Sequence, residues 1–164
     1  MPKMSRIIEI RATPEEVFAY LDDIKNVGMH MASSSMAMLG GKMSLQVISK
    51  NKTGRGATYR LRGGVLWMPI DITETVTKWA EGREKEWETV DNPKIIVMSW
   101  YRMHFVLKPA QRGTHVDFEI EYGLPTSFFG KMLGKLLARK YADWCLRRAT
   151  EDAKLAIEQR AAAK

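Results

Sequence analysis

With 164 residues, 45% of them hydrophobic and 27% charged, the chain is sized for one domain with a real core, and its composition is neither collagenous nor disordered. A lone cysteine, Cys145, excludes an internal disulfide and any multi-cysteine metal site. The net charge of +7 raises nucleic acid or an anionic membrane as partners, yet the basic residues are spread along the chain rather than clustered. Nucleic acid is therefore not an expected partner, and a membrane surface is not the favoured one.

The first ten residues carry Lys3, Arg6 and Glu9 and no apolar run long enough for a signal peptide, and no window approaches a membrane span. A cytoplasmic location is the expectation. Ile7, Ile8 and Ile10 predict a short first strand. Thr13-Pro14-Glu15-Glu16 then marks a helix start in three ways: Thr13 as N-cap, proline at the first helical position, and Glu16 completing a capping box. Val17, Phe18, Leu21 and Ile24 follow at helical spacing, and the pattern ends near Asn26-Val27-Gly28. Residues 29 to 43 interleave Met29, Met31, Met36, Met38 and Met43 with serine and glycine. This segment reads either as a mobile flap over something apolar or as a gap-filling connection with no ligand.

From Met43 the alternation has period two, as strands require. Met43, Leu45 and Val47 share one face. Tyr59 and Leu61 share another, in a run that Gly63-Gly64 is expected to break. Ile70, Ile72 and Val76 alternate with Asp71, Thr73 and Thr75, which leaves Glu74 on the apolar parity. Glu84, Glu86 and Glu88 lie opposite Trp87. A strand from Ile95 to Leu107 folds back on Thr114–Leu124 around Gln111-Arg112-Gly113. That turn sets Phe105 beside Phe118, Met103 beside Ile120 and Tyr101 beside Tyr122 on an inner face. Ile96, Met98, Trp100 and His104 are then expected outside.

The final third, from Thr126 to about Gln159, is one helical pattern on the order of 50 Å long. Phe129, Met132, Leu133, Leu136, Leu137, Tyr141 and Trp144 make its expected buried stripe, with Lys131, Lys135 and Arg139 opposite. Gly130, Gly134 and Ala138 form a small-residue line, which favours tight packing on the sheet. Lys140 falls within the apolar stripe, either snorkelling to solvent or aimed inward. An inward Lys140 would call for a carboxylate from Glu74 or from an acidic ligand.

Two stretches and their order carry a family resemblance. The opening Ile7-Ile8-Glu9-Ile10-Arg11-Ala12-Thr13-Pro14-Glu15-Glu16-Val17-Phe18-Ala19-Tyr20-Leu21-Asp22-Asp23 gives a strand, an Ala-x-Pro-x-x-Val helix entry and Leu-x-Asp. Gly113-Thr114-His115-Val116 turns into a strand ending at Tyr122, with the helix after Leu124-Pro125. Across its whole length, 1–164, the chain resembles the helix-grip superfamily, known as SRPBCC or START-like, which includes polyketide cyclases and dehydrases and lipid-transfer domains. The resemblance implies one α+β domain, with a curved antiparallel sheet wrapped around a long C-terminal helix and an apolar cavity between them.

A hydrophobic or amphiphilic small molecule is the partner this implies, bound for transport or presentation. The inward parities nominate Tyr59, Glu74, Trp87, Tyr101, Met103 and Phe118 from the sheet. Met132, Leu136 and Lys140 would contribute from the helix, and Met29, Met36 and Met38 from the connection. A second reading is a cyclase- or dehydratase-like enzyme, for which Glu74 and His30 are the only plausible acid–base pair. A third is an interaction module or homodimer using Ile96, Met98 and Trp100. His30, His104 and His115 fall at no metal-ligand spacing, and no nucleotide or phosphate fingerprint is present, so neither metal nor cofactor is expected.

Overall fold

A computed structural model describes residues 1–27, 43–65, 68–95, 97–125 and 128–163, with side chains for all of these except 65, 68 and 128–136. The chain runs β1 (Lys3–Ile10), α1 (Pro14–Asp22), β2 (Met43–Val47), β3 (Thr58–Val65), β4 (Met68–Ala80), β5 (Glu84–Lys94), β6 (Trp100–Ala110), β7 (Gly113–Gly123) and α2 (Phe128–Ala162). The seven strands form one antiparallel sheet in the order β1-β7-β6-β5-β4-β3-β2. Together with the long C-terminal helix this is the helix-grip fold.

The capping box forms as the sequence implies. Thr13 accepts from the Glu16 backbone N–H at 3.3 Å, and the Glu16 carboxylate accepts from the Thr13 N–H at 3.2 Å. The helix this starts buries Val17, Phe18, Tyr20 and Leu21. Phe18 meets Trp79 and Phe105 edge-on, at centroid distances of 5.6 and 5.8 Å. The β6–β7 register pairs Phe105 with Phe118, Met103 with Ile120 and Tyr101 with Tyr122, as the turn dictates.

Three strand boundaries differ from expectation. The first strand begins at Lys3, because its ladder to β7 runs from Lys3 opposite Glu121 to Ile10 opposite Thr114. β3 runs through Gly63 and Gly64 to Val65, since the ladder to Ile70 and Pro69 is a backbone affair that glycine tolerates. β6 begins at Trp100 rather than Ile95. The cause lies upstream, where Asp91 and Asn92 take left-handed conformations (φ 58° and 47°) and the β4–β5 register jumps. Parity cannot be carried across such a break. Met98, expected outside, is buried at 2% exposure, while Trp100 is half-buried and His104 lies on the outer face against Glu84 at 3.2 Å. Ile96 lies outside the described residues. The continuous outer stripe behind the interaction-module reading therefore does not form.

The buried face of α2 also differs. Ala138, Ala142, Leu146, Ala149, Ala153 and Ile157 are buried, whereas Leu137 is 38% exposed and Tyr141 and Trp144 are half-buried. The side chains of Phe129, Met132, Leu133 and Leu136 lie outside the described residues. Small residues let the helix backbone come close to the sheet, so in the part of α2 whose side chains are described the buried stripe is the alanine line, with Tyr141 packed beside it. Polar contacts tie the helix to β1 and its exit: Arg6 to Glu151 at 2.8 Å, Lys154 Nζ to the Glu9 carbonyl at 2.9 Å, and the Arg11 N–H to Glu158 at 3.0 Å.

Candidate functional site

Two residues further along each strand from the Phe105–Phe118 pair, the inner face changes from packed aromatics to the wall of a cavity. Met103, Tyr101 and Ile120 line it from β6 and β7, Trp87 from β5, Ile72 and Glu74 from β4, and Leu61 from β3. Ile24 and Val27, just after α1, close one side, and Ile95 and Met98, after the β5 irregularity, close another. Tyr141 and Cys145 of α2 form the roof. The cavity volume is about 40 Å³, room for a few atoms.

The wall is apolar with one charged-type exception. Glu74 is 2% exposed, and its Oε1 accepts from the Tyr101 hydroxyl in a short hydrogen bond. Its Oε2 has no hydrogen-bond partner, alone among buried side-chain polar atoms of the described residues. Burial pushes the Glu74 pKa above its ordinary value, because an ionised carboxylate loses its hydration here. The Tyr101 hydroxyl, the Lys85 charge and the Trp87 indole oppose that rise without cancelling it. Oε2 receives no hydrogen bond and stays unsatisfied. Tyr101 is held neutral in turn, first by burial and then by Glu74. Burial also pushes the Cys145 thiol up to about 12, and Cys145 is the first cause of the raised Tyr141 value.

The inward cation is Lys85, which the sequence reading passed over. It is 2% exposed, and its Nζ reaches the Asp22 carboxylate at 2.8 Å and the Asp22 carbonyl at 2.6 Å. The ammonium thus closes the C-terminal turn of α1, where the helix dipole favours positive charge. It also lies 5.7 Å from the Trp87 ring centroid and 5.9 Å from that of Tyr59. Its parity was visible, since it alternates with Glu84 and Glu86 as Trp87 does.

Of the nominated residues, the structure brings Glu74, Trp87, Tyr101 and Met103 together at the cavity. Tyr59 and Phe118 are buried in the core beside it and do not line it. The Tyr59 hydroxyl donates to the Lys52 carbonyl at 2.6 Å, and Phe118 stacks with Phe105 at 5.7 Å. Lys140 is exposed, so it snorkels and supplies no charge to the cavity. Met29, His30, Met36 and Met38 lie outside the described residues, as do the Met132 and Leu136 side chains. Among the described residues no three potential metal ligands cluster, and no helix is long and apolar enough to cross a membrane.

The model of the family described as polyketide cyclase / dehydrase and lipid transport matches residues 1–154. The chain belongs to this family. No curated protein matches the chain. Among solved structures, norcoclaurine synthase from Thalictrum flavum superposes with a TM-score of 0.68 at 10% identity, covering 97% of this chain and 95% of that one. A Thermus thermophilus protein, TTHA0849, gives 0.64 at 20% identity, covering 99% and 98%. Ara h 8.0201 gives 0.64 at 7% identity, covering 96% and 98%. At these identities the likeness is one of fold.

Proposed function

We propose that this protein binds a hydrophobic or amphiphilic small molecule between the sheet and α2. The observation that carries the reading is the apolar cavity with a single unsatisfied polar atom, Glu74 Oε2, on its wall. Ligand sites take this form, apolar walls with few and placed polar groups. The family description, which includes lipid transport, supports the same class of ligand. Native mass spectrometry of protein purified from its own host tests it. A co-purifying apolar molecule is the expected result. Protein that carries no such molecule and also fails to bind a neutral apolar dye would refute the reading.

A second reading has one specific observation behind it. A carboxyl whose pKa burial raises, positioned by Tyr101, is suited to general-acid chemistry on a polyketide-type or other apolar substrate. Norcoclaurine synthase, whose solved structure holds a transition-state analogue, is an enzyme on the same fold. Glu74→Gln separates the two readings: an enzyme keeps its ligand and loses turnover, whereas a carrier has no turnover to lose.

A further inference from the structure

We propose that Glu74 selects ligands carrying a neutral carbonyl oxygen, with the Oε2 side of its carboxyl donating the hydrogen bond. The inference rests on the cavity being the ligand site and names what that site recognises. Tyr101 donates to Oε1, so one oxygen of the carboxyl is already used as an acceptor. A proton on the acid therefore belongs on Oε2, the partnerless oxygen of a residue that lines the cavity. A buried donor left unmade keeps its desolvation penalty, so a ligand that supplies an acceptor there recovers it.

The charges around the pair decide between ligand classes. Lys85 on β5 is held by the Asp22 carboxylate and carbonyl, and Lys140 on α2 is exposed. Tyr59 from β3, Tyr101 from β6, and Tyr141 and Cys145 from α2 are all held in their neutral forms by their surroundings. No described cation faces the cavity to neutralise an anionic ligand beside Glu74, so a carboxylate is disfavoured twice, by desolvation and by the acid itself. A ketone, quinone or ester carbonyl satisfies Oε2 at no such penalty. This reverses the preference for an acidic ligand that an inward Lys140 would have created.

The test uses Nile red displacement by four probes on one short alkyl skeleton: the hydrocarbon, the methyl ketone, the secondary alcohol and the carboxylate. Wild type is compared with Glu74→Gln, which keeps a donor, and Glu74→Met, which removes it. We expect the ketone to bind wild type about tenfold more tightly than the hydrocarbon or the carboxylate, in keeping with one recovered hydrogen bond. Glu74→Gln keeps most of that preference and Glu74→Met abolishes it. Circular dichroism establishes that the variants are folded, and Tyr101→Phe, which frees Oε1, provides an independent variant expected to blunt the preference. Equal binding of ketone and hydrocarbon, tighter binding of the alcohol or carboxylate, or a ketone preference that survives Glu74→Met would each overturn the proposal while leaving the cavity as a ligand site. Failure of Nile red and of every probe to bind would remove the site and the proposal with it.

Discussion

Glu74 and Lys85 are both 2% exposed, yet only one of them is paired. Lys85 has its carboxylate and its helix-end carbonyl, so removing it leaves a half-buried Asp22 carboxylate without its cation and with the Trp79 indole at 3.1 Å as a remaining donor. Lys85→Ala is expected to cost about 3–5 kcal/mol in chemical denaturation, the range for breaking one side of a buried pair. A loss below about 1 kcal/mol would show that the ammonium is solvated. Glu74 gives the opposite expectation. Its folded-state pKa is raised from the ordinary 4.5, so between the two values the folded protein holds one more proton than the unfolded chain. Stability then falls as pH rises from about 4.5 until the folded-state pKa is passed. Glu74→Gln lacks this dependence and should match wild type at pH 4, then exceed it increasingly, by at most about 1.4 kcal/mol per pH unit. Parallel stability curves for the two proteins between pH 4 and 8 would contradict a buried neutral acid. The sequence placed Glu74 inward by parity. It pointed to the wrong lysine, because a helical wheel drawn without the sheet does not say how a long flexible side chain leaves its stripe.

At the scale of elements, the best-defined feature was the β6–β7 hairpin. A turn with Gly113 in a positive-φ conformation (149°) fixes the register, and every inner-face pair follows from it. Gly113 has a second constraint, since a Cβ there would overlap the Ile10 carbonyl oxygen. Phe105→Ala or Phe118→Ala should each cost about 3–5 kcal/mol, both side chains being fully buried, and Trp100→Ala less than half as much. Equal losses at the three positions would mean that the inner and outer faces are misassigned. Legibility stopped at Asp91 and Asn92. Nothing in the alternation announces two left-handed residues, and with them Ile95 and Met98 passed from an expected strand into the cavity wall. Leu137 was misplaced on the buried stripe for a related reason. Hydrophobicity ranks Leu137 above Ala142, but the distance between helix and sheet, a tertiary quantity, favours the smaller side chain. Ala142→Leu should therefore destabilise by about 1–3 kcal/mol despite adding apolar volume.

For the whole molecule, the strand order and the helix together explain why the core is dense near Phe105 and open near Glu74. α1 covers one end of the inner face through Phe18, and α2 is fastened to β1 through Arg6, Lys154 and the Arg11 backbone. The cavity lies where the α2 roof crosses the remaining wall, and Cys145, the only cysteine, stands in that roof. This makes the thiol a reporter on the closed state. It is 6% exposed and its pKa is pushed up to about 12, so the closed protein presents almost no reactive thiolate at pH 8. Labelling by DTNB must then wait for α2 to lift from the sheet, and its rate measures the population of that opening. We expect labelling at pH 8 to be at least about a hundredfold slower than in denaturant, from the thiolate fraction alone. An occupant of the cavity should slow it further, by the factor 1 + [L]/Kd that applies to any ligand bound only to the closed form. Ligand-insensitive labelling, with binding confirmed by Nile red displacement, would place the ligand away from Cys145 and move the site off the sheet–helix cavity.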